Sequence, residues 1–194
     1  MPKIVDHEKR REEIVAATWR VIDQCGLDEA TTRRIAEEAG YSNGVLAHYF
    51  RDKDDILVQA LTLAHAHVRA RSAVVARAEH GLAALRAVVE QALPLDAERL
   101  LEARIEFSFL ERARNVPRLL DVHRDEVAHF RAALGDLVRG ARADGAVVAV
   151  TDDEAVEQIL VLVDGLSVQA LLDPERVPAA VQLRMLDLLL GSWA

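Results

Sequence analysis

Cysteine is almost absent from this chain of 194 residues. Cys25 stands alone, so no internal disulfide can form, and an intracellular protein is the simplest expectation. Aromatic side chains are scarce, at 4%, which argues against an aromatic cage for a quaternary ammonium ligand. Positive charge is not in excess. The formal net charge of -8 excludes an indiscriminate polycation and leaves any DNA binding to a local surface. Long uncharged apolar runs are missing as well. The best candidate for a membrane span, ILVLVDGLSVQALL, is interrupted by Asp164 and Gln169. The opening MPKIVDHEKRREE is too charged for a signal peptide. The expected location is the cytoplasm.

What is present is helix. Hydrophobic residues make up 51% of the chain, enough for a sizeable core. Ala, Leu, Arg and Glu dominate, and β-branched alternation is rare. Ile14, Ala17, Thr18, Val21, Ile22 and Cys25 recur three and four apart, the inner face of a first helix. CGLDEATT ends it, Thr31 or Thr32 caps a short second helix, Gly40 stops that one, and Ser42 caps a third. Asp52 is suited to cap a fourth helix from about 53 to 80, with Asp54 and Asp55 in its first turn. Further helices are expected at about 82–92, 97–113, 117–142, 152–172 and 177–191. Pro94, the NVP of 115–117, ADGAVVAVTDD and DPERVP separate them. Thr151 and Glu154 have the spacing of a capping box, and AVVAV reads as a loop between helices. The fold class is therefore all-α: a compact three-helix unit at 1–53 followed by a longer helical region at 54–194.

Ala36, Gly40 and Leu46 carry the most information. A helix-turn-helix needs a small residue where its helices touch, a glycine in the turn, and an apolar anchor on the second helix. Ile35 and Ala39 complete the inner face. An ordinary helical hairpin would satisfy each site separately.

The longer stretch TTRRIAEEAGYSNGVLAHYFRDKDDIL resembles the N-terminal DNA-binding domain of the TetR family of transcriptional regulators. The resemblance rests on Thr31, Thr32, Ile35, Ala36, Ala39, Gly40, Ser42, Gly44, His48, Tyr49, Phe50 and Lys53. EFSFLERARNVPRLLDVHRDEVAHFRAAL and LVDGLSVQALL are similar, more loosely, to the C-terminal domain of the BetI-like branch. The resemblance implies an all-α homodimer. Its first domain would bind a palindromic operator, and its second would hold a small effector and the other subunit. It implies a repressor without a cofactor, and it does not assign choline as the effector.

On the DNA side, the implied groove-facing residues are Ser42, Asn43, Gly44, Val45, Ala47 and His48. Asn43 presents a donor and an acceptor together, as adenine requires, and Val45 suits a thymine methyl. Arg33 has the reach for a guanine or a phosphate. Thr32, Tyr49 and Lys53 are phosphate candidates. Gly44 is costly in a first helical turn, and its reading here is close approach to the sugar-phosphate backbone. Phe50 reads as core. Two positions depart from the family pattern: Ala47 stands where an aromatic is usual, and Val45 where a hydroxyl is usual. Residues 1–53 hold nine Lys or Arg and ten Asp or Glu. Binding must then depend on placement, with Glu37 and Glu38 turned off the groove and the KRR of 9–11 available for phosphates.

For the effector, the only handle is a polar or aromatic residue on an otherwise apolar helix. The candidates are His65, Arg104, Glu106, Phe109, His123, Glu126 and Phe130. The implied dimer surface is the last two helices, through Val161, Gly165, Val168, Val181, Met185, Leu188 and Leu189. Enzyme and metal readings find little. His65 and His67 diverge on a helix, and His123 and His129 are six apart, so neither pair shares a metal face. Glu102 and Glu106 are four apart, a spacing that usually faces solvent. No catalytic residue set or nucleotide-binding loop is expected.

Overall fold

A computed structural model describes residues 7–194. Among the described residues the chain forms helices only: α1 (His7–Glu29), α2 (Thr32–Ala39), α3 (Asn43–Tyr49), α4 (Lys53–Ala78), α5 (Gly81–Ala92), α6 (Ala97–Ala113), α7 (Pro117–Ala143), α8 (Asp152–Leu172) and α9 (Ala179–Gly191). The expected breaks hold to within a few residues. Local chemistry explains them. Thr31 Oγ1 accepts the Arg34 N–H at 3.2 Å at the start of α2. Asp52 Oδ1 accepts the Asp55 N–H at 2.8 Å at the start of α4. Thr151 and Glu154 cap each other's backbone at the start of α8. Each satisfies amide donors that a helix leaves open. Two boundaries differ from expectation. α1 begins seven residues before its apolar periodicity does, and it is broken at Gly26, whose φ of 77° is outside the helical region. α9 begins after Pro178, which serves as its N-cap.

The helices form two compact bodies. The first contains residues 7–64 of the described chain, together with Ile105–Leu120. Its core draws Ile14, Val21 and Ile22 from α1, Ile35 from α2, Leu46 from α3, and Ile56, Leu57 and Leu61 from α4. Trp19 Nε1 donates to the Ala60 carbonyl at 3.1 Å, tying α1 to α4. Phe109 and Leu119 are buried contributions from the second segment. Two ion pairs tie that segment to the start of α4. Arg112 meets Asp54 at 2.8 Å, and Arg118 meets Asp52 at 3.1 Å.

The second body contains His65–Arg104 and Asp121–Ala194. Leu85 and Val89 of α5, Leu93 just after it, Leu134 and Val138 of α7, Ile159 of α8 and Leu186 of α9 build its centre around Trp193. The Trp193 indole donates to Gln158 Oε1 at 2.8 Å. Its carbonyl accepts the N–H groups of Val148 and Ala149, so AVVAV is an ordered loop held by the chain's last residues. Arg86 donates to Asp187 at 2.6 Å and holds that carboxyl below its usual range, fastening α5 to α9.

Candidate nucleic-acid interface

The turn between α2 and α3 is set by Gly40, at φ 73° and ψ 26°, in the left-handed region that glycine enters without penalty. Its N–H and that of Tyr41 return to the carbonyls of the last turn of α2. Ser42 Oγ then accepts the Val45 N–H at 3.3 Å and starts α3. The seven residues of α3 divide sharply. Leu46 and Tyr49 are buried, as is Phe50 just beyond, whereas Ser42, Asn43, Gly44, Ala47 and His48 are exposed and Val45 is half-buried. A short helix is thus anchored by two side chains and presents a mostly polar, uncharged face.

Gly44 has no internal reason to be glycine. A Cβ added there would meet only Ser42 Oγ, at an ordinary 3.8 Å.

Several neighbours of α3 are engaged within the protein. Arg33 is exposed and paired with Glu37 one turn on, at 2.9 Å. Glu38 is bound to Arg20 of α1 at 2.6 Å. Lys53 donates its ammonium to the Leu27 carbonyl at 2.7 Å, just past the Gly26 break. Thr32 is half-buried at the first position of α2. Tyr49 is only 7% exposed, and its hydroxyl meets His7 Nδ1 at 2.9 Å. Sequence spacing did not reveal His7, because it lies 42 residues from its partner. Nor did spacing reveal that Tyr41 donates to Glu13, a bond that raises the phenol above its usual pKa. Arg10 lies over the Tyr41 ring, 5.6 Å from its centroid, and Arg11 lies 5.8 Å from that of Phe50.

This architecture agrees with the comparisons. The description "Bacterial regulatory proteins, tetR family" matches residues 14–60. "BetI-type transcriptional repressor, C-terminal" matches residues 81–192, more than half of the chain. The chain belongs to the TetR family. It is therefore a DNA-binding transcriptional regulator and not an enzyme. The regulator is 35% identical over 178 residues to the HTH-type transcriptional regulator PksA of Bacillus subtilis (strain 168), covering 91% of this chain and 86% of that one. A transcriptional regulator from Rhodococcus sp. Rha1 superposes with a TM-score of 0.85 at 30% identity, over 94% and 95% of the two chains. A regulator from Saccharomonospora viridis, solved in complex with choline, superposes with a TM-score of 0.86 at 22% identity, over 93% and 94%.

The seven effector candidates of this TetR-family chain fall into different settings. His65 Nδ1 lies 3.1 Å from Glu126 Oε2, and Arg69 reaches the same oxygen at 2.6 Å, so α4 and α7 of the second body are joined there. His123 lines a shallow surface depression with Arg124, Val127, Ala128 and Arg131. Phe130 packs against the second core. Arg104 is half-buried on α6. Glu106 and Phe109 belong to the first body, where Phe109 is part of the core.

Glu102 departs from expectation. It does not face solvent: it is 6% exposed and gripped by both terminal nitrogens of Arg71, at 2.8 and 2.6 Å. Arg71 also donates to the Gln91 carbonyl at 3.2 Å, and its pKa is raised, chiefly by Glu102. His67 Nδ1 lies 3.3 Å from the same carboxylate, with Glu98 at 3.9 Å. Ligand atoms of His67, Glu98 and Glu102 lie within 4.8 Å of one another, a grouping that the sequence did not suggest. Both oxygens of Glu102 are already bound to a guanidinium, which marks the group as an ion-pair network around one buried carboxylate.

The last two helices leave an apolar surface open. Val161 is 70% exposed, Leu172 77% and Leu188 58%, with Met185 also exposed. Gly165 is exposed, and a Cβ there would meet nothing within 4 Å. Val168, Val181 and Leu189 are half-buried. Despite Asp164 and Gln169, α8 is long and apolar enough to cross a membrane by length and composition. Its apolar side chains divide between the second core and this open face.

Proposed function

We propose that this regulator is a homodimeric repressor acting in the cytoplasm, which binds a palindromic operator and releases it when a small molecule binds. The observation that carries the proposal is the division of α3, with Leu46, Tyr49 and Phe50 inward and Ser42, Asn43, Gly44, Ala47 and His48 outward. In this reading residues 1–53 read DNA, and residues 54–194 hold the effector and the second subunit. Asn43 pairs with an adenine edge, Val45 meets a thymine methyl, and Arg33 leaves Glu37 for a guanine or a phosphate. Thr32, Tyr49 and Lys53 contribute to phosphate contact. Val161, Gly165, Val168, Val181, Met185, Leu188 and Leu189 pack against the same residues of the second subunit. A two-fold dimer presents two recognition helices to half-sites one helical turn apart.

The effector candidates of the second body are His65, Arg104, His123, Glu126 and Phe130; Glu106 and Phe109 lie in the first body, where Phe109 is core. The Saccharomonospora viridis regulator was solved with choline. At 4% aromatic residues, this chain is poorly equipped for an aromatic cage, so choline is not assigned. Release is routed through α4, which begins in the first body and continues into the second. An effector that moves α4 changes the separation of the two recognition helices and weakens operator binding.

The test is a gel-shift titration of purified protein against duplexes from the region upstream of its own gene. Saturable, salt-sensitive binding to one duplex over scrambled controls is expected. Uniform weak binding at every salt concentration sinks the repressor reading. For the release step, a crosslink that joins the two domains so that α4 cannot shift is expected to leave DNA binding intact and abolish induction; surviving induction overturns the role given to α4.

A further inference from the structure

We infer that His7, at the start of α1, is a phosphate-contacting residue of the DNA face, and that Tyr49 orients it. The inference rests on reading α3 as the DNA-facing helix. Tyr49 is buried and His7 is exposed, and they share a hydrogen bond of 2.9 Å between the phenol and Nδ1. Of the two, His7 has the open surface. The rings lie 5.6 Å apart at their centroids, and the His48 ring lies 6.1 Å from that of His7 and 5.2 Å from that of Tyr49. Three rings from α1 and α3 therefore form one cluster at the edge of the exposed α3 face.

The chemistry follows from one bond. In the neutral tautomer in which the Tyr49 hydroxyl donates to Nδ1, the ring proton sits on Nε2. With the imidazole protonated, Nδ1–H donates to the phenol oxygen and Nε2 still carries a proton. Ring geometry turns Nε2 away from the Tyr49 bond. In both states His7 keeps an outward N–H donor, and in the second it also carries a positive charge. A phosphate oxygen is the partner that suits such a group. Tyr49 then acts as a positioning residue, fixing a tautomer as an outer hydrogen bond does for a ligating histidine.

The sign of the pH dependence is determined. A phosphate beside His7 favours its protonated form, so its proton affinity is higher in the complex than in free protein. Protonation and binding are therefore linked, and the complex tightens as pH falls. On α3, the titratable groups facing His7 are His48 and Tyr49. Glu8, Lys9, Arg10 and Arg11 follow it on its own helix. Glu8 opposes phosphate approach, and the three basic residues favour it.

The test measures Kd for a duplex selected by the protein from a random-sequence pool, at pH 6 and pH 8 and across a salt series. His7→Ala is expected to weaken binding about 3- to 10-fold at pH 6 and to lower the salt slope by about 1. His7→Gln, which keeps a donor without the charge, should bind better than His7→Ala and lose this residue's part of the pH dependence. His48→Ala should retain that part. Tyr49→Phe should weaken binding, and adding it to His7→Ala should cost little more, since one unit is removed twice. Circular dichroism melting of each variant separates folding from contact. If the wild type selects no duplex, the DNA reading fails and the inference with it. If the wild type binds and His7→Ala matches it in Kd, salt slope and pH profile, the inference alone fails. Strict additivity of His7→Ala and Tyr49→Phe overturns the positioning role.

Discussion

The outer face of α3 and the outer face of α8–α9 are both exposed, yet they are built on opposite rules. α3 turns its apolar side chains inward and shows serine, asparagine, glycine, alanine and histidine. α8 and α9 bury one apolar side and expose another, with Val161 and Leu188 in the open. The first surface is suited to a hydrated, charged partner that is read group by group. The second is suited to a partner as apolar as itself, because exposed aliphatic surface is stabilised by being covered. A surface that depends on discrete donors and acceptors should fail at single atoms. One that depends on area should fail when a charge enters it.

The largest effect is expected at the apolar face. Leu188→Asp should shift the protein to monomer in sedimentation at micromolar concentration and reduce operator affinity about 100-fold or more, since two linked half-sites become one. A dimer that survives the substitution breaks the comparison at its apolar end. Next comes Gly44→Ala. Helix propensity predicts unchanged stability or a gain of up to about 1 kcal/mol, and the site has room for the methyl group. Operator affinity should nonetheless fall at least about 10-fold; normal binding would remove the close-approach reading. Asn43→Ala should cost about 1–3 kcal/mol of operator binding and relax preference at one base pair, while leaving other positions unchanged. Uniform weakening across sequences would reassign Asn43 to phosphate.

The smallest effect concerns stability. Asp52 caps α4, and its carboxyl is held below the usual range by the Asp55 N–H and then by Arg118. A depressed carboxyl stabilises the fold above its unfolded pKa, and that contribution fades as pH falls through the folded value. Asp52→Ala should cost about 1 kcal/mol at neutral pH and less at acid pH, as read by thermal melting.

Much of the fold was legible because its punctuation is local. Gly40, Ser42, Asp52 and Thr151 each act within a few residues, and they mark helix ends where the structure has them. The face of α3 was legible for the same reason: Leu46 and Phe50 lie four apart and bury together. What escaped depends on distant partners. Nothing in the periodicity of Ile105–Leu120 says that it joins the first body, because its partners are distant: Asp54 and Asp52 lie 58 and 66 residues from Arg112 and Arg118. Glu102 reads as a surface acid until Arg71 is seen across from it. The His7–Tyr49 bond joins residues 42 apart. Effector-site residues are the least legible, since an apolar helix with one polar side chain looks the same whether that side chain meets a ligand or an ion-pair partner.

Lys53 and Gly44 are both read as contacts to the DNA backbone, but the fold treats them differently. The Lys53 ammonium already holds the Leu27 carbonyl where α1 breaks, whereas a side chain begun at Gly44 would meet only Ser42 Oγ, at 3.8 Å. A screen that selects only for soluble, folded protein should tolerate variation at 44 and penalise it at 53. A screen that selects for gene silencing should reject changes at both. The difference between the two screens, position by position, separates the residues this regulator keeps for itself from those it keeps for DNA.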